Sequence, residues 1–218
     1  MALPTPYYQD DAVTIYHADC RNILPELPKV DLVLTDPPYG IGIDYGDGCN
    51  DNEDLVSQVV GLMPLIRSKG RRVALTCGVK NIWLYPRPDW VMAWVSNAGT
   101  GCSPWGFCCW QPILIYGKDP YLASMSGSLP DIFTSNETTK EKRHPCAKPI
   151  NLWQKVLHRC SQADSDTVLD PFLGSGTTAV AAKKLGRKCI GIEIEERYCE
   201  IAANRCRQMV MELGGLNA

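Results

Sequence analysis

The sequence predicts an α/β fold with a mostly parallel sheet and helices on both faces. Short, almost entirely apolar runs alternate with segments of helical periodicity, which is typical of strands covered on both faces. From Thr167 onward, strand, helix, strand and helix follow at the spacing of a right-handed parallel crossover. A chain of 218 residues, 45% of them hydrophobic, can bury one sizeable core and is short for two domains. We therefore expect a single domain over residues 1–218.

The first half of the chain alternates predicted strands and helices. The clearest are a strand at Val13–Tyr16, a brief helix at Arg21–Leu27 capped by Asp19, a strand at Val30–Thr35 and a helix at Leu55–Ile66 capped by Asp54, with Gly70 just past its end. Weaker strand patterns cover Arg72–Cys77, Trp90–Val95 and Pro112–Tyr116. The strand at Val30–Thr35 has to stop there, because prolines follow it closely and proline cannot donate to a strand ladder.

The pattern lapses between Gly117 and Pro149 into small, polar and charged residues. We expect a loop or insertion at about residues 117–149, and a stretch of that length inside a compact domain is usually functional or disordered. Regular elements then resume. They are a helix at Asn151–Cys160, a strand at Thr167–Leu169, a helix at Thr177–Leu185 closed by Gly186, a strand at Lys188–Ile192 and a helix from Glu195 to about Met211.

The net charge limits how the chain could attract a nucleic acid. A formal charge of −2 gives no global attraction to phosphates, so any such binding has to come from local clusters of basic residues. One cluster is Lys69, Arg71 and Arg72, and the other is Lys140, Lys142, Arg143 and Lys148. Taken alone, either run is better explained by a solvated surface.

The composition also predicts the compartment, and the arrangement of the cysteines gives little support for a metal site. No apolar run is long enough to cross a bilayer and the start of the chain has no signal-peptide pattern, so we expect a cytoplasmic protein. Eleven cysteines are an odd number without a secretory signal, which predicts reduced and mostly buried thiols. Cys102, Cys108 and Cys109 lack a Cys-x-x-Cys pair or a nearby histidine, so we expect no zinc.

A glycine-bearing turn between the strand at Thr167–Leu169 and the next helix predicts a nucleotide-like cofactor. The run is Leu169-Asp170-Pro171-Phe172-Leu173-Gly174-Ser175-Gly176-Thr177-Thr178. Glycines at this place let the backbone approach a ligand, and an acid at the end of the next strand, about 20 residues on, can hold ribose hydroxyls. Glu193 stands there. A nicotinamide or flavin remains open on this feature, although the third glycine of their pyrophosphate turn is missing.

The tetrapeptide Asp36-Pro37-Pro38-Tyr39 indicates a function more specifically than the glycine turn does, because each of its positions suits one step of the same reaction. An exocyclic amine of adenine or cytosine is a poor nucleophile, since its lone pair is delocalised into the ring. Acceptors for its two hydrogens, the Asp36 carboxylate and the Pro37 carbonyl, would return that lone pair to the nitrogen. Pro38 helps to fix the turn, and Tyr39 offers a ring on which an extruded base can stack. The alternative is a rigid turn that only ends a strand.

The two motifs together resemble the DNA amino-methyltransferases, whose signature pairs Asp/Asn/Ser-Pro-Pro-Tyr with Phe-x-Gly-x-Gly. The catalytic motif precedes the cofactor motif, as in the circularly permuted beta group, and the resemblance runs from about Ala18 to Asn204. It implies a Rossmann-like methyltransferase fold, S-adenosyl-L-methionine as the cofactor and double-stranded DNA as the partner. Many relatives are dimers, so a homodimer is expected of a chain with so short a recognition segment.

The resemblance also implies roles for individual residues. Asp36, Pro37, Pro38 and Tyr39 are the implied catalytic residues. The implied cofactor contacts are Asp19, Asp36, His144, Lys148, Asp170, Phe172, Gly174, Ser175, Gly176, Thr177 and Glu193. Within this set, the His144-Pro145-x-x-Lys148-Pro149 segment is expected over the methionine end of the cofactor, and Asp19 is expected near the adenine unless it is a plain helix cap. Because the segment between the motifs reads the target in this family, Lys140, Lys142 and Arg143 are predicted phosphate contacts.

The implied activity is methylation of adenine N6 in DNA, in a prokaryotic cell or a phage. Adenine is favoured because the cytosine-N4 members more often carry serine at the position of Asp36. Cytosine-N4 methylation stays an alternative, as does a catalytically silent cofactor-binding subunit. A cytosine-C5 enzyme would need a thiol nucleophile, and Cys146 lies in the wrong motif for one. An RNA amino-methyltransferase could share both motifs, although their order favours DNA.

Overall fold

The computed structural model describes residues 3–42, 51–96, 99–135, 148–162 and 165–214. The strands in these ranges are β1 (Tyr8–Gln9), β2 (Val13–His17), β3 (Val30–Thr35), β4 (Gly70–Thr76), β5 (Trp90–Val95), β6 (Gly101–Ser103), β7 (Gly106–Cys108), β8 (Trp110–Tyr116), β9 (Ile132–Thr134), β10 (Thr167–Asp170) and β11 (Lys188–Glu193). The helices are α1 (Cys20–Ile23), α2 (Glu53–Lys69), α3 (Pro120–Ala123), α4 (Ile150–Cys160), α5 (Thr177–Lys184) and α6 (Glu196–Gly214), with 3₁₀ turns at Leu24–Glu26 and Val79–Leu84.

Nine strands form one sheet in the order β1-β2-β11-β10-β3-β4-β8-β5-β9. From β2 to β4, the five central strands pair in parallel. Strand β8 pairs antiparallel with both β4 and β5, and β1 and β9 form the two edges. The predicted α/β fold with a mostly parallel sheet is therefore confirmed. A second, two-stranded sheet is the β6–β7 hairpin.

Helices cover both faces of the sheet because the central strands are apolar on both sides. In β3, the buried side chains of Leu32 and Leu34 join a cluster that includes Trp153 of α4. Val33 points to the other face and packs with Met63 of α2. Successive side chains of a strand point to opposite faces, so a strand buried twice reads as the continuous apolar run seen in the sequence.

Three details differ from the sequence-based expectation. Helix α2 begins at Glu53 and is capped by Asn52, whose side chain accepts a hydrogen bond from the Leu55 amide at 2.9 Å, so the prediction of Asp54 as the cap was wrong. Helix α2 continues to Lys69 where the sequence predicted an end at Ile66, and Gly70, just past the helix as expected, is already the first residue of β4. The predicted loop after Gly117 contains α3 and β9, both too short to leave a clear periodic pattern.

The sequence also led to expectations about the cysteines, about membrane spans and about the number of domains. Every cysteine within the described ranges is a free thiol, and most of them are buried. Among the helices that the structure describes, none combines the length and the apolar character that a bilayer crossing needs. The single domain over residues 1–218 stays a prediction.

Because the central strands are parallel, their carboxyl ends lie at one edge of the sheet, which is where α/β proteins bind ligands. Residues at the ends of five adjacent strands therefore come together. They are Asp19 after β2, Glu193 of β11, Asp170 of β10, Asp36 after β3 and Thr76 of β4.

Candidate active site

A cavity of about 180 Å³ opens at this edge of the sheet, between the two sequence motifs. The predicted site residues that line it are Asp19, Asp36, Pro37, Pro38, Tyr39, Lys148, Phe172, Gly174 and Glu193. Apolar side chains of α2 and of the segment after β11, among them Leu55 and Ile194, complete the wall. The fold thus brings together motifs that lie far apart in the chain.

The Asp36 carboxylate is held from both sides. Its Oδ2 accepts a hydrogen bond and ion pair from Lys148 Nζ at 2.6 Å. Its Oδ1 accepts hydrogen bonds from the hydroxyls of Tyr39 and Thr76. The Lys148 side chain is only 9% exposed and that of Asp36 is 20% exposed, so little water screens this pair. Sequence reasoning missed Thr76, whose only signal is its place at the end of a strand.

Tyr39 is fixed by contacts at its hydroxyl, its ring and its backbone. Its hydroxyl, besides donating to Asp36, lies 3.3 Å from Gln111 Oε1, and its carbonyl accepts from Asn81 Nδ2 at 2.7 Å. The Lys148 ammonium lies over the ring, 5.0 Å from the centroid. Burial and the Asp36 charge raise the pKa of the Tyr39 phenol well above its usual range, so the phenol keeps its proton at neutral pH.

The turn after Tyr39 is held by a carboxylate that the sequence did not single out. Gly40 adopts a φ of +71°, and its amide donates to Asp51 Oδ1 at 2.5 Å. The Ile41 amide donates to Asp51 Oδ2 at 2.9 Å. Asp51 is buried and directly precedes Asn52, the cap of α2. It therefore ties the turn after Tyr39 to the start of that helix.

Asp170 connects the two motifs from behind the cavity wall. Its Oδ1 accepts from the Thr35 hydroxyl at 2.6 Å and from the Phe172 amide at 3.1 Å, and its Oδ2 accepts from the Thr178 hydroxyl at 2.5 Å. Burial raises the pKa of Asp170 to about 6. Asp170 is not among the cavity-lining residues, so we expect it to shape the loop instead of contacting a ligand.

The rest of the glycine turn shares this supporting position. Ser175, Gly176 and Thr177 do not line the cavity either. Arg205 Nη1 donates to the Ser175 carbonyl at 2.7 Å. Gly176 has a φ of +84° and lies so close to α6 that an added Cβ would be 2.7 Å from the Cβ of Ala202. This glycine is needed for helix packing as well as for the turn.

Two acidic residues stand at the end of the cavity opposite Asp36. Glu193 accepts from the Gly174 amide at 2.7 Å and from the Glu195 amide at 2.9 Å, and burial raises its pKa. Asp19 caps α1, accepting from the Arg21 amide at 2.8 Å, and pairs with the Arg21 side chain. Since Asp19 also lines the cavity, capping does not exclude a ligand contact.

Of the two basic clusters, the structure describes the one at Lys69, Arg71 and Arg72 and only Lys148 of the other. Lys140, Lys142, Arg143 and His144 lie outside the described residues, so their predicted roles stay predictions. The cluster at Lys69, Arg71 and Arg72 lies around the start of β4, at the edge of the sheet away from the cavity. Its side chains mostly bond the protein itself, since Lys69 donates to the carbonyls of Pro25 and Leu27. This position favours a structural role for the cluster of Lys69, Arg71 and Arg72.

A metal-binding group is absent from the part of the chain that the structure describes. Nowhere in it do three or more histidine, cysteine, aspartate or glutamate side chains converge as metal ligands would.

Comparisons with known proteins identify the family. The DNA methylase family model, which covers N6 and N4 methyltransferases, matches residues 67–204. The type II methyltransferase M.ScaI of Streptomyces caespitosus is 29% identical, over 94% of this chain and 84% of that relative.

Solved structures of DNA methyltransferases are similar to this chain as well. The M1.HpyAVI complex with S-adenosylmethionine superposes with a TM-score of 0.64 and is 26% identical, covering 88% of this chain and 98% of that one. The PvuII cytosine-N4 methyltransferase, 17% identical over 92% of this chain and 88% of its own, shares the fold with a TM-score of 0.69. The chain belongs to the DNA methylase family, and it is an S-adenosylmethionine-dependent methyltransferase that acts on amino groups in DNA.

Proposed function

We propose that the protein methylates the N6 amine of an adenine that has been rotated out of double-stranded DNA. The observation that carries this proposal is the pairing, in one cavity, of the Asp36 carboxylate and Tyr39 ring with the acidic pair Asp19 and Glu193. The first pair suits a planar base with an amine, and the second suits the ribose of an adenosine. Adenine is proposed over cytosine because Asp36 is aspartate, where cytosine-specific members more often carry serine.

The residues at the acidic end fit the cofactor. A carboxylate can accept about four hydrogen bonds, and Glu193 uses two for backbone amides, which leaves acceptors for ribose hydroxyls. The apolar wall formed by Leu55 and Ile194, together with Phe172, suits an adenine ring. When bound, the cofactor supplies an electrophilic methyl group on a sulfonium centre.

The residues at the other end would prepare the amine. We infer that one amine hydrogen is accepted by the Asp36 carboxylate and the other by the Pro37 carbonyl, which localises the lone pair on nitrogen for attack on the methyl carbon. As the nitrogen–carbon bond formed and the carbon–sulfur bond broke, the nitrogen would become positive, and it would return to neutrality by losing one of its two protons to solvent. The Asp36 carboxylate would stabilise that positive charge, because its contacts with Thr76 and Tyr39 already hold it in place.

Purified protein should transfer labelled methyl groups to duplex DNA without any partner protein. Sequencing of the product for modified bases should place them on adenine, within a defined sequence. Methylcytosine at N4 would correct the base assignment and keep the mechanism. A protein that binds the cofactor but transfers no methyl to any DNA would support a silent subunit instead.

Lys148 makes both contacts that we propose for the target base. Its ammonium pairs with the Asp36 carboxylate at 2.6 Å and lies over the Tyr39 ring, 5.0 Å from the centroid. An amine and an ammonium cannot occupy one position, and a positive charge there would oppose the charge that develops on the attacking nitrogen. We therefore infer that the incoming base displaces Lys148.

Lys148→Met should make base entry easier. We expect about tenfold tighter binding of duplexes that carry 2-aminopurine at the mapped target, with brighter fluorescence, because one charge-assisted hydrogen bond no longer has to be broken. The assay omits cofactor, so that only the DNA contacts are compared. Lys155→Met is the matched control, since Lys155 is exposed and its removal changes the net charge equally. Weaker binding and dimmer fluorescence in Lys148→Met alone would contradict displacement.

A further inference from the structure

A β-hairpin projects from the edge of the sheet that carries the active site. Strands β6 and β7 pair antiparallel from Gly101↔Cys108 to Ser103↔Gly106, with Pro104 and Trp105 at the turn. The hairpin connects β5 to β8. Because β8 is antiparallel to both β4 and β5, the end of β5 and the start of β8 lie beside the end of β4. The hairpin therefore leaves the sheet at the catalytic edge.

The hairpin presents two aromatic rings to solvent. Trp105 at the turn is 99% exposed and Phe107 is 81% exposed. Single exposed apolar residues are ordinary, but two large rings on one short hairpin form an apolar surface that no other residue of the described ranges covers. From Gly99 to Trp110 the chain carries no charged side chain. The hairpin therefore has no carboxylate that would repel DNA phosphates, and its rings offer faces on which bases can stack.

One side chain connects the start of the hairpin, where it leaves the sheet, to Tyr39. Gln111, near the start of β8, has its Oε1 3.3 Å from the Tyr39 hydroxyl, and its Nε2 donates to the Thr100 carbonyl at 3.4 Å. Thr100 in turn donates through its hydroxyl to the Cys108 carbonyl at 3.0 Å. Three residues of strand extend the hairpin by about 10 Å beyond this point, at about 3.3 Å per residue. That length exceeds the depth of either groove of B-DNA, about 8 Å.

We propose that Trp105 is a wedge that inserts into the base stack beside the target and occupies the space left by the extruded base. The proposal rests on the proposed function, because only a base that leaves the duplex leaves such a space. Apolar side chains inserted between base pairs unstack them, and the indole ring then replaces the stacking that the neighbouring bases lose. The partner that covers the exposed Trp105 ring is thus the interior of a DNA duplex at its target site.

The test compares two duplexes that contain the mapped target. In one the target is normally paired, and in the other the nucleotide opposite it is abasic, so that extrusion breaks no base pair and no longer limits kcat/KM. In wild-type protein the ratio of kcat/KM for paired over abasic duplex measures how well the protein opens a pair. Trp105→Ala should lower this ratio about 10- to 100-fold, the typical effect of losing one aromatic–base stack. Trp105→Phe should retain most of it.

The control variant is Trp83→Ala. Trp83 is 86% exposed and follows β4 at the same edge, but it is not on the hairpin, so the ratio should not change. An unchanged ratio in Trp105→Ala would overturn the wedge, as would an equal fall in Trp83→Ala or a fall in Trp105→Phe as large as in Trp105→Ala. A wild-type protein that methylates neither duplex would overturn the proposed function, and the wedge with it.

Discussion

Replacing Asp36 with alanine should lower the single-turnover rate of methyl transfer by about a hundredfold or more at saturating cofactor and DNA. In the proposed mechanism, the Asp36 carboxylate accepts a hydrogen bond from the target amine and faces the positive charge that grows on it. Losing one well-placed transition-state partner typically has an effect of that size. Rapid-quench measurement of labelled methyl transfer to the mapped target would give the rate.

The structure also predicts that Asp36→Ala lowers the stability of the fold. The experiment has to separate this effect from the loss of activity. Removing Asp36 leaves the nearly buried Lys148 ammonium without its ion-pair partner, and an uncompensated charge of that kind is destabilising. The double variant Asp36→Ala with Lys148→Met removes both charges and should recover much of the lost stability without recovering activity. Asp36→Asn keeps one acceptor oxygen and should retain more activity than alanine. Near wild-type turnover in a folded Asp36→Ala protein would reduce the motif to a structural turn.

The parts of the fold that sequence reasoning predicted are those with strong local signals. Strand β3 stands out because it is mostly apolar and is followed by Pro37 and Pro38, and β5 was predicted with its observed bounds. Helix α5 is recognisable from the glycine turn before it and Gly186 after it. The start of α2 was misplaced because several residues with capping side chains stand in a row there, and which one caps depends on the backbone conformation.

The catalytic and cofactor motifs could be predicted because each is contiguous and chemically specific. Their supports could not, since they depend on which strands become neighbours. Thr76 reaches Asp36 only because β4 lies beside β3, and Gln111 reaches Tyr39 only because β8 lies beside β4. For the same reason, the sequence could not show that the Asp170 carboxylate turns away from the cavity toward Thr35. Non-local pairing carries no local sequence pattern.

Replacing Gly176 with alanine should destabilise the protein by several kcal/mol and weaken cofactor binding. Two effects add. A φ of +84° is unfavourable for any residue with a Cβ, by about 1–2 kcal/mol. The new Cβ would also lie 2.7 Å from the Cβ and 2.9 Å from the Cα of Ala202, and overpacking of this kind typically costs about 1–3 kcal/mol. Moving α5 away from α6 would relieve the clash but would shift the turn that carries Gly174. Chemical denaturation and calorimetry with S-adenosylhomocysteine measure the two effects.

Gly127→Ala is the matched control, because Gly127 has a φ of +93° but nothing within 4 Å of the position of its Cβ. Gly127→Ala should therefore show only the backbone penalty and leave cofactor affinity unchanged. Ala202→Gly, made in the Gly176→Ala background, removes the nearer of the two clashing atoms. It should restore part of the stability beyond what the single changes predict, a coupling that a double-mutant cycle isolates. If Gly176→Ala is no worse than Gly127→Ala, and Ala202→Gly gives no coupling, then close packing of α5 on α6 does not hold the cofactor turn in place.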